Sequence, residues 1–315
     1  MTSRALFLAP LGLVILTAFA PATSSSPRWT VADSPPAAAD ASARLRALAR
    51  PAAVFDSLGK SVAAAGDVNG DGLSDYAVGA PGAGGTGQVL IYLGSSTGSF
   101  TLQATLTAGD ATSGFGAAIA PAGDINGDGF DDLLVGQPTR NAAAGRVWVY
   151  LGSGGGIQTT ASTVLDGAAP GEHFGSSVCT AGDVNQDGYD DIVVGAPYSN
   201  ANGPLRGRAV VYLGSSTGLS GTSYPLSGGF TNSLFGMSVA GGCDVNGDGY
   251  DDVVVGAPTI GSDPGHVYLY GGSSSGMTFD PLHGDATNGV EMRDMLLHGC
   301  FSSADRSKNG LLSDS

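Results

Sequence analysis

The stretch FGSSVCTAGDVNQDGYDDIVVGAP, residues 174–197, decides the fold. It joins a Phe-Gly pair, a short run of small and apolar residues, a dense acidic loop, the β-branched run Ile192–Val194 and a closing Gly-Ala-Pro. The same string recurs as LGKSVAAAGDVNGDGLSDYAVGAP from Leu58, FGAAIAPAGDINGDGFDDLLVGQP from Phe115 and FGMSVAGGCDVNGDGYDDVVVGAP from Phe235. The first Asp of the acidic loop falls at 67, 124, 183 and 244, a spacing of 57–61 residues. A third apolar run follows each time (GQVLIYLG, GRVWVYLG, GRAVVYLG, GHVYLYGG), and a weaker fourth leads into the next Phe-Gly. Each repeat thus offers four short strands joined by Gly-rich turns. The runs Tyr76–Val78, Leu133–Val135, Ile192–Val194 and Val253–Val255 are expected to be buried on both faces. Self-similarity of this kind means a repeat architecture, and a recurring four-stranded unit is a β-propeller blade. The expected fold is therefore all-β, with stacked blades burying faces that one blade alone cannot.

Composition agrees. Gly supplies 52 of 315 residues and Pro 16, yet 42% of the chain is hydrophobic and the glycines recur at fixed positions. Gly is at more than twice its usual share, in a pattern that favours short strands and tight turns over disorder. Charged residues are only 13% of the chain, 28 acidic against 13 basic, for a net charge of −15. That charge repels nucleic acid and anionic lipid and excludes both as partners.

The repeats occupy residues 55–289, divided at about 55–113, 114–172, 173–233 and 234–289. Residues 1–22 read as a secretory signal: Arg4 carries the charge, Ala5 to Ala20 is apolar, and Ala20-Pro21-Ala22 is a cleavage pattern. Interrupted by Pro10 and Gly12, that stretch is short for a bilayer span, so the expectation is a secreted protein with no membrane insertion after cleavage. Residues 23–54, rich in Ala, Ser and Pro, read as a linker. The run Gly284-Asp285-Ala286-Thr287-Asn288-Gly289 nearly repeats the lead-in to Phe115, so a fifth Phe-Gly is expected. Residues 290–315 instead form a divergent tail without loop or Gly-Ala-Pro, as in a truncated or frame-shifted end. Four repeats and the start of a fifth imply an incomplete ring, because propellers typically close with about 4–8 blades. Missing repeats or a partner chain would cover its edges. Cys179, Cys243 and Cys300 are too few for a disulfide framework; they read as small buried hydrophobes, with a Cys179–Cys243 bridge left open.

Phe-Gly, acidic loop and Gly-Ala-Pro together resemble the FG-GAP repeat of integrin α-subunit propellers and related bacterial extracellular proteins. The likeness covers about residues 55–289, with two departures: Leu58 stands for the first Phe, and Gln137 for the Ala of the second Gly-Ala-Pro. It implies a binding role in adhesion or recognition, with ligands on the blade-connecting loops away from the acidic ones. Here those are Gly82–Gly87, Thr139–Gly145, Tyr198–Gly207 and Thr259–Gly265.

Each acidic loop reads D-x-N-x-D-G-x-x-D: Asp67, Asn69, Asp71 and Asp75; Asp124, Asn126, Asp128 and Asp132; Asp183, Asn185, Asp187 and Asp191; Asp244, Asn246, Asp248 and Asp252. Three carboxylates and an amide oxygen within nine residues repel one another unless a cation lies among them. Hard oxygen donors on a flexible loop suit Ca²⁺ better than Zn²⁺ or Mg²⁺. An EF-hand is excluded: it needs Glu at position twelve, where this chain has Val78, Val135, Val194 and Val255. In similar loops the position-seven carbonyls, here Leu73, Phe130, Tyr189 and Tyr250, complete the shell and the ninth-position Asp closes it. The expectation is about four Ca²⁺, one per repeat, offsetting about half of the net charge and pinning the first turn of each blade. Asp131, Asp190 and Asp251, beside the ligand positions, read as outer supports or solvent-facing acids.

No catalytic constellation stands out. The four histidines form no H-x-x-x-H pair, and there is no G-x-S-x-G elbow, so the chain does not read as an enzyme. His173 and His266 read as exposed loop or strand residues. Tyr92, Tyr150, Tyr212 and Tyr270, with Trp148, read as packing between blades, although repeated aromatics also build sugar sites. The partner is an extracellular protein or glycan. A carbohydrate-binding propeller, and an accessory domain of a secreted hydrolase such as a phospholipase, stand as alternatives.

Overall fold

A computed structural model describes residues 57–109, 114–228, 230–258 and 265–279, which fall in one compact unit. The expected signal (1–22), linker (23–54), fifth Phe-Gly and tail (290–315) lie outside the described residues. Every repeat forms a four-stranded antiparallel meander. Blade 1 holds β1 (Ser61–Gly66), β2 (Asp75–Ala80), β3 (Gln88–Leu93) and β4 (Thr101–Thr107). Blade 2 holds β5 (Ala118–Gly123), β6 (Asp132–Gly136), β7 (Arg146–Tyr150) and β8 (Thr163–Asp166). Blade 3 holds β9 (Ser177–Gly182), β10 (Asp191–Ala196), β11 (Arg208–Tyr212) and β12 (Ser223–Leu226). Blade 4 holds β13 (Ser238–Cys243), β14 (Asp252–Ala257), β15 (His266–Gly271) and β16 (Thr278–Phe279). The blades stack in chain order through their first strands, β1 on β5, β5 on β9 and β9 on β13. No comparable packing returns from blade 4 to blade 1 among the described residues, so the stack is an open arc.

The core is three separate junctions. Between blades 1 and 2, Ala77, Val89, Ile91 and Leu106 meet Phe115, Leu133, Val135 and Tyr150. Between blades 2 and 3, Leu134, Val147 and Val149 meet Phe174, Ile192 and Val194. Between blades 3 and 4, Val193, Ala209 and Val211 meet Phe235, Val253 and Val255. Period-two alternation sends adjacent residues of each second strand into opposite junctions, which is why these strands carry unbroken apolar runs. The inner second strands β6 and β10 are buried throughout, as expected. In β2 the outer residue is not: Tyr76 is 40% exposed, because no blade precedes it among the described residues.

The Phe and Gly motifs meet across junctions. Phe115, Phe174 and Phe235 are fully buried and lie edge-on to Tyr150, Tyr212 and Tyr270. Burying such a ring contributes about 2–3 kcal/mol. Among the described residues no earlier blade stands before Leu58, which takes the place of the Phe. A Cβ on the first Gly of each Gly-Ala-Pro in blades 1–3 (Gly79, Gly136, Gly195) would overlap the carbonyl of the next blade's Phe-Gly glycine. The two motifs are therefore halves of one contact. Gln137, the departure within the second Gly-Ala-Pro, is fully buried and accepts a hydrogen bond from Trp148 Nε1 at 3.2 Å.

Two expectations need correction. His266 is not exposed: it is buried and stacked on Phe230 at 4.6 Å between ring centroids, a ring supplied by the connection before blade 4. Its counterpart His173 is half-buried against Tyr198. Cys179 is a free, partly buried thiol whereas Cys243 is disulfide-bonded, so the two do not pair and Cys243 is no inert hydrophobe.

Candidate metal centres

Each acidic loop joins the first two strands of its blade and is shaped by its own side chains. In the first, Asp67 Oδ1 accepts the Asp71 N–H at 3.0 Å and Oδ2 accepts that of Gly72 at 2.7 Å. Asn69 Oδ1 also takes the Asp71 N–H, while Asn69 Nδ2 donates to Asp71 Oδ2, both at 3.1 Å. Asp71 Oδ1 accepts the N–H of Leu73 at 2.9 Å. The same five bonds recur around Asp124–Asn126–Asp128–Phe130 and Asp183–Asn185–Asp187–Tyr189 at 2.8–3.1 Å. They recur around Asp244–Asn246–Asp248–Tyr250 at 2.8–3.2 Å. The Gly after the fifth position turns left-handed each time, for example Gly72 at φ +83° and Gly188 at +91°, where a side chain is strained.

The ninth-position acids close the loops from inside. Asp75, Asp132 and Asp191 are fully buried and Asp252 nearly so. Their Oδ2 atoms accept the N–H groups of Val68, Ile125, Val184 and Val245 at 2.9–3.1 Å. Their Oδ1 atoms accept those of Gly94, Gly152, Gly214 and Gly272 at 2.7–3.0 Å. Burial pushes the Asp132 carboxyl up to about 8 and that of Asp191 to about 7; the backbone N–H bonds oppose the rise and neighbouring loop acids add to it. Burial raises Asp75 and Asp252 as well. Sequence reasoning thus picked residues that the fold gathers loop by loop. Among the described residues, no group of three or more His, Cys, Asp or Glu side chains forms a ready-made metal cage. The donor set fits Ca²⁺ by its chemistry: three carboxylates and an amide oxygen within nine residues of one loop.

Asp131, Asp190 and Asp251 are the residues whose partners sequence reasoning missed. Asp131 Oδ2 accepts the N–H of Asp67 at 2.7 Å, and the Asp131 N–H donates to the Asp67 carbonyl at 3.1 Å. Asp190 holds Asp124 by the same pair of bonds at 2.9 and 3.1 Å, and Asp251 holds Asp183 at 2.9 and 3.2 Å. Each acid therefore clamps the first residue of the loop one blade earlier, which favours the reading as outer supports over that as solvent-facing acids and adds the partner, a loop of the neighbouring blade. The clue was present: position eight is Asp in repeats two to four and Ser74 in the first, whose blade has none before it. Gln186, at φ +58° where the other loops have Gly, adds another link by donating from Nε2 to the Gly249 carbonyl of the next loop.

Comparison with known proteins names the pattern. The FG-GAP repeat family matches residues 58–92, 115–150, 174–212 and 235–270, one match per blade. This chain belongs to the FG-GAP repeat family. Its FG-GAP repeats are 36% identical over 219 residues to integrin alpha-5 of Xenopus laevis, covering 65% of this chain and 20% of that protein. They are 37% identical over 226 residues to integrin alpha-V of Gallus gallus, covering 66% and 21%. Against integrin alpha-IIb of Homo sapiens the identity is 42% over 154 residues, covering 45% and 14%. The chain thus spans about a fifth or less of these integrins. Three of the aromatic positions of its FG-GAP blades, Tyr92, Tyr150 and Tyr270, are at most 5% exposed, while Tyr212 and Trp148 are half-buried against Phe174 and Phe115. Among the described residues, no helix is long and apolar enough to cross a membrane.

Proposed function

We propose that the chain is an exported, calcium-stabilised propeller module that binds an extracellular protein in adhesion or recognition. The observation that carries the binding role is the likeness to integrin α chains across all four repeats. The calcium role rests on four loops that repeat one oxygen-donor set in one hydrogen-bonded shape. In the first loop Asp67, Asn69, Asp71, Asp75 and the Leu73 carbonyl would hold the ion, and their counterparts would do so in the others. Bound there, Ca²⁺ supplies the positive charge that offsets crowded carboxylates and fixes the turn. In an antiparallel meander the β2–β3, β6–β7 and β10–β11 connections leave the end of the blade opposite the acidic loops. The segments Gly82–Gly87, Thr139–Gly145 and Tyr198–Gly207 therefore form a second rim, free to vary and to meet a partner. Residues 259–264 of the fourth such loop lie outside the described residues.

The test is a thermal melt of the full chain in millimolar Ca²⁺ and in chelator, followed by a screen of extracellular-matrix and cell-surface proteins. A strong upward shift with Ca²⁺, and binding lost when the rim loops are replaced by short Gly-Ser turns, support the proposal. An unshifted melt removes the calcium role. Binding only to glycans would move the module to the lectin class.

A further inference from the structure

Given loops that hold Ca²⁺, as proposed for this chain, we propose further that Asp131, Asp190 and Asp251 are positioning residues for the metal loop of the preceding blade. Loops 1–3 then bind Ca²⁺ tightly and in concert with blade stacking, while loop 4 is a weaker, separate site. Each acid grips one backbone unit on both sides, accepting its N–H and donating to its carbonyl. The gripped residue is the first ligand position of the loop, whose own carboxylate must face the ion. Fixing its backbone in advance removes an ordering cost from metal binding. Coupling of this kind is reciprocal: the ion that orders the loop also readies the seat on which the next blade packs.

The fourth loop shows what absence of the clamp looks like. In the first three loops a Gly precedes the first Asp (Gly66, Gly123, Gly182), and a Cβ there would overlap the clamping carboxylate of Asp131, Asp190 or Asp251. Before Asp244 the residue is Cys243 rather than Gly. No carboxylate reaches the Asp244 N–H among the described residues, and Asp244 Oδ1 draws in the Gly247 N–H at 2.7 Å instead. Ser74 is the matching change at the other end: among the described residues blade 1 has no earlier loop beside it, and it carries no clamping acid.

Calorimetric titration of the full chain with CaCl2 tests this, on the wild type and on the Asp131→Ala and Asp131→Asn variants, each also melted in chelator. The expected wild-type isotherm has two classes of site, three tighter and one weaker. Asp131→Ala should weaken one of the three by about tenfold, the worth of the one hydrogen bond to a charged group that it loses, since the backbone bond to the Asp67 carbonyl remains, and should shrink the calcium-induced rise in melting temperature. Asp131→Asn keeps an acceptor oxygen and should restore most of the affinity. A staple that merely holds the blades together would lower both melts equally and leave every site's affinity unchanged, and that result overturns the inference. So does a wild-type isotherm with four equal sites, which serves if Asp131→Ala does not fold. A wild type that takes up no Ca²⁺ at all ends the calcium reading itself and this inference with it, an outcome distinct from normal uptake unaffected by the variants.

Discussion

The face that blade 2 turns toward blade 1 and the face of blade 1 that no described blade covers occupy the same positions of the repeat. On blade 2 that face carries Phe115, Phe130, Asp131 and Leu133; on blade 1 the same positions are Leu58, Leu73, Ser74 and Tyr76. Ile119 packs into the first junction, whereas its equivalent Val62 is 69% exposed. The far end of the stack shows the complement. Ala181, Gly182 and Val184 sit under blade 4, while the equivalent Gly242, Cys243 and Val245 have no described blade above them, and Val245 is 44% exposed. The repeats of this chain therefore depart from one another where a junction partner is lacking. What the repeated residues encode is the contact between blades more than the blade itself.

The comparison breaks most visibly at the Phe positions. Phe174→Ala should cost about 3–5 kcal/mol by emptying a buried ring site, and Leu58→Ala under about 1.5 kcal/mol, by urea denaturation; equal losses would mean that the open face is covered. A smaller contrast isolates the clamp. Gly182→Ala and Gly188→Ala both place a side chain at positive φ, but only the first meets a carboxylate. Gly182→Ala should cost about 2–4 kcal/mol from strain plus lost hydrogen bonds, and Gly188→Ala about 1 kcal/mol. Val184→Ala should cost about 2 kcal/mol and Val245→Ala less than about 0.5 kcal/mol, measured in the same way. A small effect should also follow from a pair outside the apolar junctions. Arg146 grips Asp166 with two bonds of 2.6 Å on the exposed edge of blade 2, and Arg146→Ala should cost at most about 1 kcal/mol. Arg146 holds the Asp166 carboxyl below its ordinary value of 3.8. The stabilisation is therefore present above that value and fades as the pH falls through the lowered one, and the gap between wild type and variant should close with acid and with salt.

Much of this was legible because the repeat is written four times. The Phe-Gly, the acidic loop and the apolar runs each fall on the predicted element, and the loop positions chosen as metal ligands share one geometry. The partners of Asp131, Asp190 and Asp251 were not legible because they lie 64–68 residues earlier in the chain, a distance no local pattern reports. His266 was misjudged for a similar reason: its cover, Phe230, comes from the connection before blade 4 rather than from its own strand.

The sequence by itself determined the blade: strand number, turn chemistry, donor set and period all follow from local spacing, since a meander pairs neighbours and a loop folds on its own side chains. Only the tertiary structure decided which of those residues face another blade. That depends on the order of stacking, and it turns a Gly before an Asp from a flexible turn residue into the one residue small enough to sit beneath the next blade's carboxylate.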